Sequence, residues 1–364
     1  MTATADPLIA PYDPSTIRTA VDRCLDTFLS TKAQEAASDH MPPDVVEMLR
    51  EFLLSGGKRL RPLFCVYGWH AAGGRGVPPP VVQTAAALEM FHAFALIHDD
   101  VMDESDVRRG RPSLHRALES KFALHNERPQ ARWLGTHVAV LLGDLAFAWS
   151  GELLHSAGIS SERIERVLPV VTRMRTEMMY GQYLDLVSSR TAAPDPATSL
   201  KVVQLKTAKY TIERPLHLGA ILAGASDAVL RTLSGYAMPL GTAFQLRDDL
   251  LGTFGDPELT GKSADDDLRE GKATVLVALA LARADPHASS SLRRILGDRS
   301  LTAAQADTAR QIIAGCGARQ EVESLIRRYH AEAIRVLDRG TSLLSPNGSQ
   351  ALHALATTAL KRHS

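Results

Sequence analysis

The residues best placed to do chemistry are two groups of aspartates, each closing an apolar run. The first is Ala93-Phe-Ala-Leu-Ile-His-Asp-Asp-Val-Met-Asp103, and the second is Ala243-Phe-Gln-Leu-Arg-Asp-Asp-Leu-Leu251. On a helix, Asp99 and Asp103 share a face one turn apart, with Asp100 about 100° round the axis. Like charges emerging from a buried segment repel one another and are costly to desolvate. A hard divalent cation relieves both penalties, and an all-oxygen ligand set favours magnesium over zinc or copper. A lone DDxxD more often just ends a helix on a solvated face. A second cluster, Asp248 and Asp249 after another apolar run, shifts the balance towards a shared metal site.

Cations stand close to these carboxylates in the chain. Gly56-Gly57-Lys58-Arg59-Leu60-Arg61-Pro62 sets three of them directly after two glycines, where the backbone can turn and let the charges converge. Arg108 and Arg109 follow the first aspartates within two turns, and Lys206, Lys262 and Lys272 add further cations near or after the clusters. Guanidinium grips phosphate oxygens as a planar fork and ammonium acts as a point charge, so the mixture suits a dense anion. Each cation alone is more often a solvated surface charge. Beside metal-binding carboxylates they imply phosphate-bearing substrates whose leaving group the metal neutralises. No GxxxxGK[ST] loop occurs, so nucleotide hydrolysis has no support.

The elements that must position these groups are helices. Apolar residues make up 45% of the 364 and aromatics only 5%, a composition of Ala, Leu and Val that suits packed helices better than a sheet. Helical periodicity spans Ile17–Ala36, Pro43–Leu54, Val81–Met102, Pro129–His155, Ser161–Leu186, Leu200–Ala223, Ala228–Leu251, Lys272–Ala284, Ala303–Ala314 and Glu321–Leu344. Breaks fall at Ala71–Pro80, Ser188–Ala197, Gly252–Gly271 and Asp285–Arg299. None resembles a domain linker, so residues 17–364 read as one all-α domain after a loose tail, 1–16. No fixed-period repeat points to a solenoid.

Lys plus Arg equals Asp plus Glu at 41 each, which leaves no net field for nucleic acid or a membrane surface. Cys24, Cys65 and Cys316 are scattered and odd in number, against a disulfide framework or zinc site and in keeping with a reducing cytoplasm. The first sixteen residues carry no Lys or Arg and no long apolar run, unlike a signal peptide. The most apolar stretch, Val138–Trp149, is interrupted by Gly143 and Asp144, so no transmembrane segment is expected.

From Gly56 to Thr274 the chain resembles the trans-isoprenyl diphosphate synthases. The motifs occur in that family's order: GGKRLRP, ExxHxxxLIHDDVMDxxxxRRG, GQYLD at Gly181–Asp185, Lys206-Thr207, FQLRDD at Phe244–Asp249 and GKSADDDLREGKAT. The resemblance implies a helical bundle around a deep cavity, the isoprenoid synthase fold, acting as a homodimer. It implies three magnesium ions: two on Asp99 and Asp103 with Asp100 in support, and one on Asp248 beside Asp249. Arg108, Lys206 and Lys262 would grip an allylic prenyl diphosphate, whereas Lys58, Arg61, His92 and Arg109 would hold isopentenyl diphosphate. Lys272 would help close the site, and Gln182, Asp185 and Tyr210 would line the cavity.

The implied reaction is ionisation, condensation and proton loss. The allylic cation would face the Lys206 carbonyl, the Thr207 hydroxyl and Gln245, and the departing pyrophosphate would take the proton. One departure stands out: Gly252 occupies the place of the third Asp in a second DDxxD, with Asp256 one turn later. Gly252 and Gly255 are expected to end that helix. A terpene cyclase would share the fold but would need no second diphosphate pocket, and a non-catalytic subunit would be expected to have lost an Asp cluster.

Chain length belongs to the helix before Asp99. Ala95, His92 and Leu88 share the Asp99 face, so the small Ala95 leaves the cavity open one turn below the metals. Phe94 lies about 140° off that stripe, and helix geometry alone does not make it a stopper. In the resembling family, an aromatic at this position with an uninterrupted DDxxD is a pattern of geranylgeranyl diphosphate synthases. A twenty-carbon product is therefore expected, with fifteen carbons as the runner-up.

Overall fold

The computed structural model describes residues 13–189, 191, 194–256 and 264–360, whose regular structure is helical apart from one two-stranded ribbon. They divide into two compact units: Met1–Leu168 with Pro215–Ser226, and Pro169–Arg214 with Asp227–Ser364.

In the first unit, α1 (Pro14–Ser38) starts where the Asp13 side chain accepts hydrogen bonds from the backbone N–H groups of Ser15 and Thr16, 3.1 and 3.2 Å away, with Pro14 in its first turn. Its Ile17, Val21, Leu25 and Leu29, one turn apart, form a buried stripe. Next come α2 (Asp44–Leu54), α3 (Leu60–Ala71) and α4 (Pro79–Met102). A ribbon of β1 (Val107–Arg108) and β2 (Arg111–Pro112) leads to α5 (Leu114–Phe122) and α6 (Arg128–His155). Helix α4 is buried on most of its circumference and lies against α1, α3 and α6, with Ala85, Ala86 and Ala87 letting its neighbours approach.

Both α4 and α6 are long and apolar enough to cross a membrane by length and composition, although neither is an unbroken apolar run. Helix α4 is a core helix here. Helix α6 leaves Trp133 and Leu141 exposed, at 58% and 66%.

The chain passes between units inside α7 (Ser161–Ser189), at Pro169. In the second unit, α8 (Pro196–Val203) runs into a π-helical segment, Gln204–Glu213, and then α9 (Arg214–Leu222), most of which belongs to the first unit. There follow α10 (Asp227–Phe254), a short α11 (Asp266–Glu270), α12 (Val275–Arg283), α13 (Pro286–Ile295), α14 (Ala303–Gly315), α15 (Ala318–Arg339) and α16 (Pro346–Leu360). Helix α10 packs on α15 and on the π segment. Leu246, Leu250, Leu268, Leu276, Leu292, Ile313 and Val322 share one core.

The structure corrects several expectations. Leu60–Ala71 is a helix that periodicity did not reveal, because its residues 62–68 are buried all round and show no polar face. The polar stretch after Asp285 holds α13, started by the Asp285 side chain bonding the N–H groups of His287 and Ala288 with Pro286 behind it. Leu200–Ala223 is three segments rather than one. Helix α10 runs through Gly252, since glycine weakens a helix without breaking it, and ends at Phe254, directly before the second expected breaker, Gly255.

Candidate active site

In the first unit, Asp99 and Asp100 lie in the last turn of α4, and Asp103 caps it with its N–H 2.8 Å from the Asp99 carbonyl. The ribbon that follows turns through Arg109 and Gly110, both at positive φ, the pairing a two-residue type I′ loop requires. That turn sends the adjacent arginines to different partners. Arg108 Nε donates to Asp100 Oδ1 at 2.8 Å and its Nη2 lies 3.4 Å from Asp99, whereas Arg109 donates to the Gly56 carbonyl. Asp100 is buried beneath Arg108, while Asp99 and Asp103 remain partly exposed.

The glycine pair has φ of +102° and +147°, and a Cβ at Gly57 would meet the Arg109 guanidinium at 2.9 Å. Lys58 is exposed and Arg61 half-buried at this loop. Arg59 does not converge with them. It turns inward at φ +49° and is 3% exposed, with Nη1 2.8 Å from the equally buried Glu89, Nε 2.8 Å from Asp22 and Nη2 2.6 Å from the Leu53 carbonyl. A cation counted with the loop is therefore a structural anchor, and its partners went unrecognised because they are remote in sequence. Burial first, then the positive charges of Arg61, Arg109, Arg108 and Arg59, holds the His92 imidazole well below its usual value and hence neutral at pH 7.

In the second unit, α7 carries Gln182 and Asp185, the π segment carries Lys206, Thr207 and Tyr210, and α10 carries Gln245, Asp248 and Asp249. Close approach is possible because Gly181 and Gly241 lack side chains: a Cβ there would lie 2.9 Å from Leu205 and Lys206, and 2.4 Å from the Ala208 Cα. Lys206 Nζ lies 2.5 Å from Asp185. Thr207 donates its hydroxyl to Gln245 Oε1 at 2.6 Å, and Gln245 Nε2 donates to Asp249 Oδ1 at 2.8 Å. Tyr210 is buried and Gln182 half-buried.

Lys272 lies 2.7 Å from Glu270 and 3.8 Å from Asp267. A Cβ on Gly252 would meet Asp267 Oδ2 at 2.2 Å, so the carboxylate of Asp267 fills the space beside the glycine. Asp256 is exposed beyond the end of α10, and Lys262 lies outside the described residues. Phe94 is buried among Phe91, Phe147 and His98, at ring separations of 5.3, 5.2 and 4.7 Å, and Ala95 is half-buried beside it.

Among the described residues no three Asp, Glu, His or Cys side chains are gathered so as to hold a metal by themselves. The donor chemistry nonetheless fits a hard cation. Burial pushes the Asp249 carboxyl well above the carboxylate range, and the negative charges of Asp267, Asp248 and Asp185 push the same way against the Gln245 hydrogen bond. A divalent cation would relieve that repulsion.

Comparison with known proteins bears on these groups. The chain is 39% identical to geranylgeranyl pyrophosphate synthase from Corynebacterium glutamicum, whose crystal structure is complexed with isoprenyl diphosphate and magnesium. The match covers 96% of this chain and 100% of that one, with a TM-score of 0.91. It is 34% identical over 290 residues to geranylfarnesyl diphosphate synthase of Aeropyrum pernix, covering 78% and 84% of the two chains. With geranylgeranyl diphosphate synthase of Methanosarcina mazei it shares 31% over 297 residues, covering 82% and 84%. Residues 42–313 match the family described as Polyprenyl synthetase. With its all-helical architecture and its ordered aspartate, arginine and lysine motifs, the chain belongs to the polyprenyl synthetase family.

Proposed function

We propose that this enzyme joins isopentenyl diphosphate to an allylic prenyl diphosphate, 1′ to 4, releasing pyrophosphate and making mainly geranylgeranyl diphosphate. The observation that carries the two-substrate reading is the positive charge of Arg61 and Arg109 felt at His92 in the first unit, additional to the Lys206–Asp185 pair of the second. An enzyme acting on a single diphosphate has no use for both.

Asp99, Asp103 and Asp248 would hold magnesium, with Asp100 and Asp249 behind them, and the metal when bound would neutralise the diphosphate leaving group. Arg108, Lys206 and Lys262 bind the allylic diphosphate, and Lys272 helps close the site over the diphosphates. Lys58, Arg61, His92 and Arg109 bind isopentenyl diphosphate, neutral His92 as a hydrogen-bonding group rather than a charge. The C1–O bond of the allylic substrate breaks with its electron pair leaving on pyrophosphate. The isopentenyl double bond then attacks C1, and a proton leaves C2 to pyrophosphate.

Because Thr207 donates to Gln245, its oxygen keeps its electron pairs for the developing cation. The Lys206 carbonyl and the Gln245 amide oxygen add to that stabilisation. Gln182, Asp185 and Tyr210 line the cavity, and Ala95 leaves room below the metals while Phe94 limits the chain. A relative named for a twenty-carbon product supports this assignment, and one named for a twenty-five-carbon product lies one unit longer.

Residues 17–364 act as one catalytic domain in the reducing cytoplasm, where Cys24, Cys65 and Cys316 stay as thiols. The exposed apolar face of α6 supports a homodimer, to be read by light scattering. The deciding experiment incubates the purified chain with Mg²⁺, isopentenyl diphosphate and geranyl or farnesyl diphosphate, followed by chromatography of the dephosphorylated products. A twenty-carbon alcohol is expected. A cyclic hydrocarbon from the allylic substrate alone would indicate a cyclase, and no turnover would indicate a non-catalytic subunit.

A further inference from the structure

The π-helical segment Gln204–Glu213 carries Lys206, Thr207 and Tyr210, yet nothing in the reaction explains why it is π rather than α. A π-helix is rare and persists only where its surroundings hold it. Pro215, just beyond, has no N–H to offer and its ring disfavours the normal i−4 bond, which loosens the register locally. The Arg214 N–H donates instead to the Lys209 carbonyl, five residues back.

The side chains of the same two residues meet on one carboxylate. Lys209 Nζ lies 2.7 Å from Glu177 Oε1, while Arg214 Nε lies 2.9 Å from Glu177 Oε2 and Arg214 Nη2 lies 2.9 Å from Oε1. Glu177 belongs to α7 and is 13% exposed at its side chain. On an α-helix, residues five apart lie about 140° round the axis, so the two cations would point well apart. With i to i+5 bonding they fall on one face.

We propose that Glu177 is a positioning residue that selects the π register by gripping Lys209 and Arg214 together, and so aims Lys206 and Thr207. Losing the extra residue of the π turn would rotate the preceding residues by about 100°. That rotation would draw Lys206 away from Asp185 and Thr207 away from Gln245, and through Gln245 it would release Asp249. Burial works to raise the Glu177 carboxyl, but the Lys209 hydrogen bond and the Arg214 charge outweigh it, and the group sits below its usual value and ionised. The other charged groups that meet this pair are Arg173, 3.3 Å from Glu177, and Glu213, 3.4 Å from Arg214.

The catalytic part of the inference rests on the elongation reaction proposed above, whereas the register part does not. The test compares wild type with Glu177→Gln and Glu177→Asp in kcat, in KM for isopentenyl diphosphate, in thermal midpoint and in amide exchange of residues 205–214. Glu177→Gln is expected to lower kcat at least tenfold with KM for isopentenyl diphosphate changed less than twofold. It should also speed exchange in 205–214 at least tenfold while α12 stays protected, and Glu177→Asp should recover part of both losses. Lys209→Met, which leaves the Glu177–Arg214 pair, serves the same purpose if Glu177→Gln does not fold. Unchanged exchange in 205–214, or a kcat that falls only in step with the folded fraction, would overturn the proposal. A wild-type chain that elongates nothing would refute the elongation reading alone, because the exchange comparison still decides the register.

Discussion

Asp99 and Asp103 end α4 partly exposed, and each is proposed to bring one carboxylate to the metal. Asp99→Ala or Asp103→Ala should lower turnover by several orders of magnitude with the fold intact, because each removal also relieves repulsion. Steady-state kinetics that retain more than about a tenth of wild-type activity, roughly 1.4 kcal/mol of barrier, would remove them from that role. Arg61→Ala should raise KM for isopentenyl diphosphate selectively; an equal rise for the allylic substrate would contradict two separate pockets.

Arg59 next to it behaves differently. Arg59→Met strands the buried Glu89 and should cost about 3–5 kcal/mol in denaturant unfolding, as breaking one side of a buried ion pair does. Lys58, Arg59 and Arg61 read alike in the sequence because residue type is local. The direction of Arg59 is not, being set by a left-handed backbone turn and by partners 37 and 30 residues away.

Helix α10 brings Gly252 against Asp267, so restoring the absent aspartate would set two carboxylates in one place. Gly252→Asp should lower stability by roughly 1 kcal/mol and lower turnover, measured by unfolding and by kinetics at saturating Mg²⁺. Higher activity in that variant would show that the site lacks a ligand there. On α4, Ala95→Phe should shorten the product and Phe94→Ala should lengthen it, by chromatography of the dephosphorylated alcohols. Phe94→Ala should also destabilise by about 3–5 kcal/mol, since its ring fills a cluster with Phe91, Phe147 and His98. If neither variant alters the product, this helix does not set chain length. Amphipathic helices such as α1 and α15 were legible because one face is polar. Helix α3 was hidden by burial on every side, and the π turn by a periodicity too coarse to register one added residue.

At the scale of the whole molecule, His92, His115 and His330 bias stability against acid. His92, His115 and His330 all lie below their usual value, with burial the largest cause in each. The unfolded chain therefore binds more protons than the folded one from about pH 6.5 downward, and stability should fall as pH drops below that value. Thermal midpoints between pH 8 and 5 should show the decline, and His115→Gln should flatten it; a midpoint independent of pH would contradict the neutral histidines. The sequence by itself determined the helical class and the order of the aspartate, arginine and lysine motifs, because those signals are complete within one or two turns of chain. Only the tertiary structure decided that Arg108 faces Asp100 while Arg109 faces Gly56, that Arg59 is an anchor, and that Glu177 grips Lys209 and Arg214. These choices depend on which remote groups arrive at the same place with opposite charge, and no local pattern of residue types encodes that meeting.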